Sequence, residues 1–167
     1  MISAIVAVDN NWGIGFNGDL LEHIPEDLKR FKELTFNKVV IMGRKTWDSL
    51  PKKPLPNRLN LVITRQGRFV DEMTIFLSLE EIISRLNHLD DEDHWFIIGG
   101  GEIYKTLLPF CDNVYVTKIF KTYDKVDTYF PNLDNDPNWE IKEQSEVKTY
   151  KDIQYQFQLY GIKNWFL

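Results

Sequence analysis

An acid on an apolar helix face is the first feature of this chain that invites chemistry. Pro25 suits the first position of a helix, and Glu26-Asp27 place acid in the first turn. The pattern predicts a helix from residue 25 to about 34. At about 100° per residue, Leu28, Phe31 and Leu34 share one face. Asp27 falls inside their arc, whereas Glu26, Lys29 and Glu33 point elsewhere. A carboxylate on a core-facing stripe needs a compensating partner, because burying an unpaired charge costs several kcal/mol or raises its pKa. The helix N-terminus pulls that pKa the other way. Periodicity leaves two readings open. One is a structural Asp, hydrogen-bonded to backbone or to another segment. The other is a carboxylate that binds the cationic or amidine-like edge of a ligand and assists proton transfer.

Two strand–glycine–helix junctions form the second feature. Phe96-Ile97-Ile98 runs into Gly99-Gly100-Gly101 and then Glu102-Ile103-Tyr104, and Val39-Val40-Ile41-Met42 runs into Gly43 and then Arg44-Lys45-Thr46. Each puts backbone N–H groups and a helix start at a strand end, where a phosphate can be held, and glycine admits the ligand close to the backbone. A tight strand-to-helix turn would look the same. Two junctions, one with Arg44 and Lys45, fit a diphosphate better than either alone. Neither matches the P-loop or the G-x-G-x-x-G fingerprint, which disfavours an ATPase or an ordinary Rossmann domain. In Pro54-Leu55-Pro56-Asn57-Arg58 the prolines fix the chain, and Arg58 either presents its fork to a carboxylate or sits in solvent. Arg65 and Arg68 have the same choice, with a phosphate as the ligand.

These groups must be positioned by a domain of ordinary make-up. The 167 residues suit one domain, residues 1–167. Hydrophobic residues are 43% and charged residues 27%, which argues against a disordered chain. The net charge of −5 disfavours broad binding to nucleic acid or anionic lipid but permits a local basic pocket. Cys111 is the only cysteine, so no internal disulfide forms; it reads as a small buried residue rather than a nucleophile, since His23, His88 and His94 sit in no partner motif. No zinc or calcium spacing is present, and no metal is expected. Residues 2–8 lack a basic leader and meet Asp9 early, and no run approaches the roughly 20 apolar residues of a bilayer span. A cytoplasmic monomer is the expectation, with no nucleic acid or membrane partner. Trp12, Trp47, Trp95, Trp139 and Trp165 fit core, pocket or scattered surface positions.

Strands are predicted at residues 2–8, 38–42, 59–64, 73–76, 94–98 and 113–119, with residues 9–24 a long flexible connection carrying Gly13, Gly15 and Gly18. Ser78-Leu79-Glu80-Glu81 is a capping box that opens a helix to about Asn87, and a further helix over 102–108 stops at Pro109. Ile153, Tyr155, Phe157 and Leu159 alternate with Gln154, Gln156 and Gln158, the pattern of an antiparallel strand with one wet face, and residues 139–147 could pair with it. Together these give an α/β fold, a mainly parallel sheet with an antiparallel C-terminal edge.

At these residues the chain resembles the dihydrofolate reductase family over nearly its whole length. The resemblance rests on residues 2–8, Gly13-Ile14-Gly15, Pro25-Glu26-Asp27-Leu28 with Phe31-Lys32, residues 40–47, Pro54-Leu55-Pro56-Asn57-Arg58, residues 97–104 and Asp127-Thr128-Tyr129-Phe130-Pro131, in that order and spacing. It implies an eight-stranded sheet flanked by about four helices, and reduction of 7,8-dihydrofolate to tetrahydrofolate by NADPH, with antifolate-type ligands as inhibitors. It implies that Asp27 holds the pterin N3 and 2-amino group with support from Thr117. Ile5, Val6, Leu28, Phe31, Leu50 and Leu55 would line the pterin and benzoyl pocket, and Arg58 would bind the glutamate α-carboxylate. The nicotinamide would lie against Ala7, Ile14 and Ile98 near Tyr104. Gly99-Gly100, a cis pair in the family, and Gly101, Glu102, Ile103, Tyr104 and Thr106 would approach the cofactor, with Gly43, Arg44, Lys45 and Thr46 opposite and Gly15 and Gly18 in the covering loop. Thr64 and Arg65 match the region that reads the adenosine 2′-phosphate. One departure stands out: Leu21-Glu22 replace the family's usual Pro-Trp. Glu22 would either face solvent or add negative charge near Asp27 and raise its pKa. A pterin or pyrimidine reductase of the same fold, and a catalytically weak nucleotide-binding module, stay open as alternatives.

Overall fold

The computed structural model describes residues 1–65 and 68–164. The chain opens with β1 (Ile2–Val8), a small hairpin of β2 (Gly13–Phe16) and β3 (Asp19–Leu20), and α1 (Pro25–Thr35). It continues through β4 (Val39–Gly43), α2 (Arg44–Ser49), β5 (Leu59–Ile63), β6 (Arg68–Asp71), β7 (Thr74–Leu77) and α3 (Leu79–Leu86). Then come β8 (Trp95–Ile97), α4 (Gly101–Leu107), β9 (Asn113–Ile119), β10 (Thr128–Tyr129), β11 (Trp139–Gln144), β12 (Lys148–Tyr150) and β13 (Ile153–Ile162).

The main sheet runs β11-β13-β9-β1-β8-β4-β5-β7-β6, with β12 paired to β13. Its centre is parallel, at β9–β1, β1–β8, β8–β4, β4–β5 and β5–β7, and both ends are antiparallel. Ten strands bond in this sheet rather than eight, because two short strands, β6 and β12, extend it. The central strands are apolar on both faces because helices cover both. Even-numbered residues of β1 (Ile2, Ala4, Val6, Val8) pack with Ile82 and Leu86 of α3 and Tyr104 and Leu107 of α4. On the other face Ile5 packs with Leu34 of α1 and Trp47 of α2. The capping box at Ser78 is formed, its side chain accepting from the Glu81 N–H at 3.2 Å.

Two expectations need correction. Residues 9–24 are not one open loop: β2 and β3 pair within it, and β10 adds a third strand. The Asp9 carboxylate, buried, accepts from Asn11 and Gly13 N–H at 2.9 and 2.8 Å and sets the first turn of this segment. In β13 the alternation holds at Ile153 and Tyr155 and then inverts, so Gln158 is buried and Phe157 only half-buried. The cause is position. β13 lies between β9 and β11, with both faces covered in part, and Gln158 finds a hydrogen bond from the Tyr160 hydroxyl at 3.2 Å. Of the tryptophans, Trp12, Trp47 and Trp139 are buried, and Trp165 lies outside the described residues. Among the described residues, no helix is long and apolar enough to cross a membrane, and no group of three His, Cys, Asp or Glu is placed to hold a metal ion. Cys111 is buried, its thiol pushed up to about 12 by burial first and by the nearby Asp112 charge second.

Candidate active site

The floor of the site is two rows of side chains across β1, β9 and β13. Register places Ile5 beside Tyr115 and Tyr115 beside Leu159; one pleat further on, Ala7 lies beside Thr117 and Thr117 beside Phe157. Helix α1 crosses these rows. The Thr117 hydroxyl, 3% exposed, donates to Oδ1 of Asp27 across 90 residues of sequence. Oδ2 makes no hydrogen bond to a described residue. Burial raises the pKa of Asp27, and the Thr117 bond and the positive charge of Arg30 oppose that rise. The first turn of α1 is pinned by Glu26, which accepts from the Tyr155 hydroxyl at 2.6 Å and pairs with Lys148 at 3.1 Å. Leu34 packs inward as periodicity predicts, whereas Leu28 is 46% exposed, so the chain itself leaves the apolar face beside Asp27 only partly covered.

The second half of the site lies where parallel strands β4 and β8 end. The Gly43 N–H donates to the Gly99 carbonyl at 2.8 Å, which sets the two glycine junctions side by side. Helices α2 and α4 start there with Gly43 and Gly100 as N-caps, and neither start has a side-chain cap. Their first N–H groups are therefore available to an anion. The Gly99–Gly100 peptide is cis. Gly99 has φ +119°, and a Cβ there would stand 3.1 Å from the Tyr104 ring. Tyr104 in turn donates to the Ile5 carbonyl at 2.7 Å, tying the junction to the floor. Gly43 is crossed by Ile103, 2.9 Å from where its Cβ would be, and Thr46 Oγ1 stands 3.5 Å from the corresponding point on Gly100. Beyond these lies a cavity of about 840 Å³ bordered by Arg44, Thr64, Arg65, Phe76 and Ser78. Arg44 is steadied by Asp48 at 3.0 Å and by the Phe76 ring at 5.1 Å.

Most of the expected residues meet in these two places, and some do not. Ile5, Leu50, Leu55 and Ile98 pack on one apolar cluster. The Val6 side chain packs into the core on the face opposite Ile5, as alternation along β1 requires. Ile14 also packs into that core. Gly15 pairs with Leu20 in the small hairpin. Gly18, Lys45, Glu102 and Thr106 are exposed, and the three side chains among them make no hydrogen bond or ion pair to a described residue. Arg58 is not a surface residue. It is 4% exposed, its Nε donating to the Pro56 carbonyl at 2.8 Å and Nη1 to Thr35 Oγ1 at 3.1 Å, with no carboxylate paired to it among the described residues. Arg65 borders the cavity, while the Arg68 side chain lies outside the described residues. Glu22 is half-buried and lies 3.9 Å from Lys121, and after burial it contributes to raising the pKa of the Tyr123 hydroxyl. Sequence reasoning missed Arg30, although its i,i+3 spacing from Asp27 was a usable signal, and it missed Ser78 as a cavity residue.

A family profile described as dihydrofolate reductase matches residues 1–162. The chain belongs to the dihydrofolate reductase family. The dihydrofolate reductase of Bacillus subtilis is 38% identical over 168 residues, covering 98% of this chain and 96% of that protein. That of Haemophilus influenzae is 43% identical over 140 residues, 84% of each chain. The bifunctional dihydrofolate reductase-thymidylate synthase of Daucus carota is 39% identical over 148 residues, 78% of this chain and 28% of that longer protein. Members of the dihydrofolate reductase family use NADPH as a general property.

Proposed function

We propose that this protein reduces 7,8-dihydrofolate to 5,6,7,8-tetrahydrofolate with NADPH, and that Asp27 anchors the pterin. The observation that carries the reading is the half-buried Asp27 carboxylate, fixed through one oxygen by Thr117 with the other unengaged, in a chain of this family. An amidine-like edge, N3 with its 2-amino group, would meet that carboxylate through charge-assisted hydrogen bonds. Ile5, Leu28, Phe31, Leu50 and Leu55 would supply the apolar walls. Arg58, half of its fork spent on the Pro56 carbonyl and Thr35, would present the rest to the substrate's α-carboxylate.

The residues present fit NADPH. Two uncapped helix starts and glycines with close neighbours suit a diphosphate between Gly43-Arg44-Lys45-Thr46 and Gly99-Gly100-Gly101. Arg44 and Arg65, with the Thr64 and Ser78 hydroxyls, suit a phosphate on the adenosine, and Phe76 supplies an apolar wall. Ala7, Ile98 and Tyr104 would flank the nicotinamide. Bound NADPH supplies hydride from nicotinamide C4 to pterin C6. Asp27 bonds the far side of the ring from N5, so it orients and polarises the pterin, and the N5 proton comes from solvent. The hairpin of β2 and β3 limits that solvent. It is held by Asp127, which accepts from Asn17 N–H at 2.9 Å and donates its own N–H to the Gly15 carbonyl at 3.0 Å. The reading extends to a monomeric cytoplasmic enzyme of one-carbon metabolism that binds antifolate-type ligands.

Purified protein is expected to oxidise NADPH only when dihydrofolate is added; no dihydrofolate-dependent turnover would contradict the reading. The runner-up, a reductase of untailed pterins, is separated by Arg58. Arg58→Leu is expected to raise KM for dihydrofolate by about 10- to 100-fold, the loss of one charge-assisted pair, and to leave KM for a dihydropterin without a glutamyl tail unchanged. Equal effects on both substrates would remove Arg58 from tail recognition.

A further inference from the structure

We propose that Arg30 is a positioning residue for Asp27: Phe157 and Tyr115 hold its guanidinium near enough to favour the carboxylate and too far away to occupy it. This rests on Asp27 being the ligand-binding acid. Arg30 follows Asp27 by three residues on α1, so the two side chains are neighbours on one helix face. Their partners on the floor are also neighbours. Asp27 meets Thr117, and Arg30 lies over Tyr115, two residues earlier on β9, and over Phe157, the register partner of Thr117. The guanidinium carbon is 4.3 Å from the Phe157 ring centre and 5.5 Å from that of Tyr115.

This half-buried cation makes no hydrogen bond and no ion pair to a described residue. A flexible guanidinium beside a half-buried carboxylate ordinarily closes a bidentate pair. Here the ring faces hold it back, through a cation–π contact that strengthens as water is excluded. The consequence is chemical. A direct pair would engage the carboxylate oxygen that the pterin needs, and each binding event would have to break it. A clamped cation supplies potential and leaves Oδ2 unengaged.

The other titratable groups around Asp27 do not substitute for it. Glu26 on α1 is turned to Tyr155 and Lys148. β9 contributes the Tyr115 phenol and the Thr117 hydroxyl, β13 contributes Tyr155, and α4 contributes Tyr104, all uncharged at neutral pH. Among the described residues, Arg30 is the charge that acts on Asp27, and its sign favours the ionised acid.

The test is the pH dependence of kcat/KM for dihydrofolate in wild type, Asp27→Asn, Arg30→Met, Arg30→Lys and Phe157→Leu, each checked for folding by thermal melting. The limb that Asp27→Asn abolishes is expected to move to higher pH in Arg30→Met, by about half a unit or more. Arg30→Lys should return it most of the way, since charge rather than shape is at work. Phe157→Leu should move it to lower pH and raise KM, because the released guanidinium closes on Asp27. A limb unmoved in Arg30→Met, or a KM increase there without a shift, would overturn the proposal; the second result would mean that Arg30 grips the ligand itself. A wild-type limb that persists in Asp27→Asn would instead overturn the role given to Asp27.

Discussion

Asp27→Asn is expected to lower kcat/KM for dihydrofolate by about 100-fold or more while raising the melting temperature at neutral pH. The activity loss follows from exchanging a charge-assisted pair for a neutral hydrogen bond at a half-buried site, worth about 3 kcal/mol. The gain in stability follows from the sign of the pKa shift. Burial raises the pKa of Asp27 in the folded protein, so over the window between the unfolded and folded values the folded state binds more protons. The stability that this group contributes is present at acid pH, below the unfolded value of about 3.9, and is lost as pH rises through the folded value. At neutral pH the ionised acid is a cost that Asn removes. Calorimetry across pH should show the variant's advantage widest near neutrality and closing in acid. Equal turnover, or a variant that melts below wild type at neutral pH, would contradict this trade between stability and function.

Gly99→Ala is expected to damage the cofactor half through backbone strain and packing at once. At φ +119° an L side chain is strained by about 1–3 kcal/mol. The added Cβ also meets the Tyr104 ring at 3.1 Å, and that ring cannot move freely because its hydroxyl is bonded to the Ile5 carbonyl at 2.7 Å. A total near 3 kcal/mol corresponds to a fall in melting temperature of about 6–12 °C for a chain of this size. KM for NADPH should rise together with it, because the Gly99 carbonyl also receives the Gly43 N–H at 2.8 Å and a shift there moves both helix starts. Unchanged melting and unchanged KM would show that the junction accommodates a side chain and that its glycine is not needed.

What the sequence disclosed was local. The helix from Pro25, the glycine junctions at Gly43 and Gly99 and the capping box at Ser78 all stand where period, proline and cap residues placed them. Asp27 was suspect from periodicity alone, since one acid interrupted an apolar arc. Its partner Thr117 lies 90 residues away on β9, and only the family resemblance pointed to it. Features decided by neighbouring strands stayed hidden. Val6 follows Ile5 in sequence yet faces the opposite core. Gln158 is buried because β13 is an inner strand, which an alternating pattern cannot express. Glu22 found Lys121, a contact across two loops that neither sequence reading anticipated. The residues around Arg58 left its setting open between solvent and a carboxylate, and the Thr35 hydroxyl that it meets lies 23 residues away at the end of α1.

The account stands on an ionised Asp27 meeting the amidine edge of a pterin-like ring. Calorimetric titration of a 2,4-diaminopyrimidine antifolate into wild type and Asp27→Asn, in the presence of NADPH, tests that contact without turnover. Binding about 100-fold weaker in the variant is the predicted result, and equal affinity for the two proteins would contradict it.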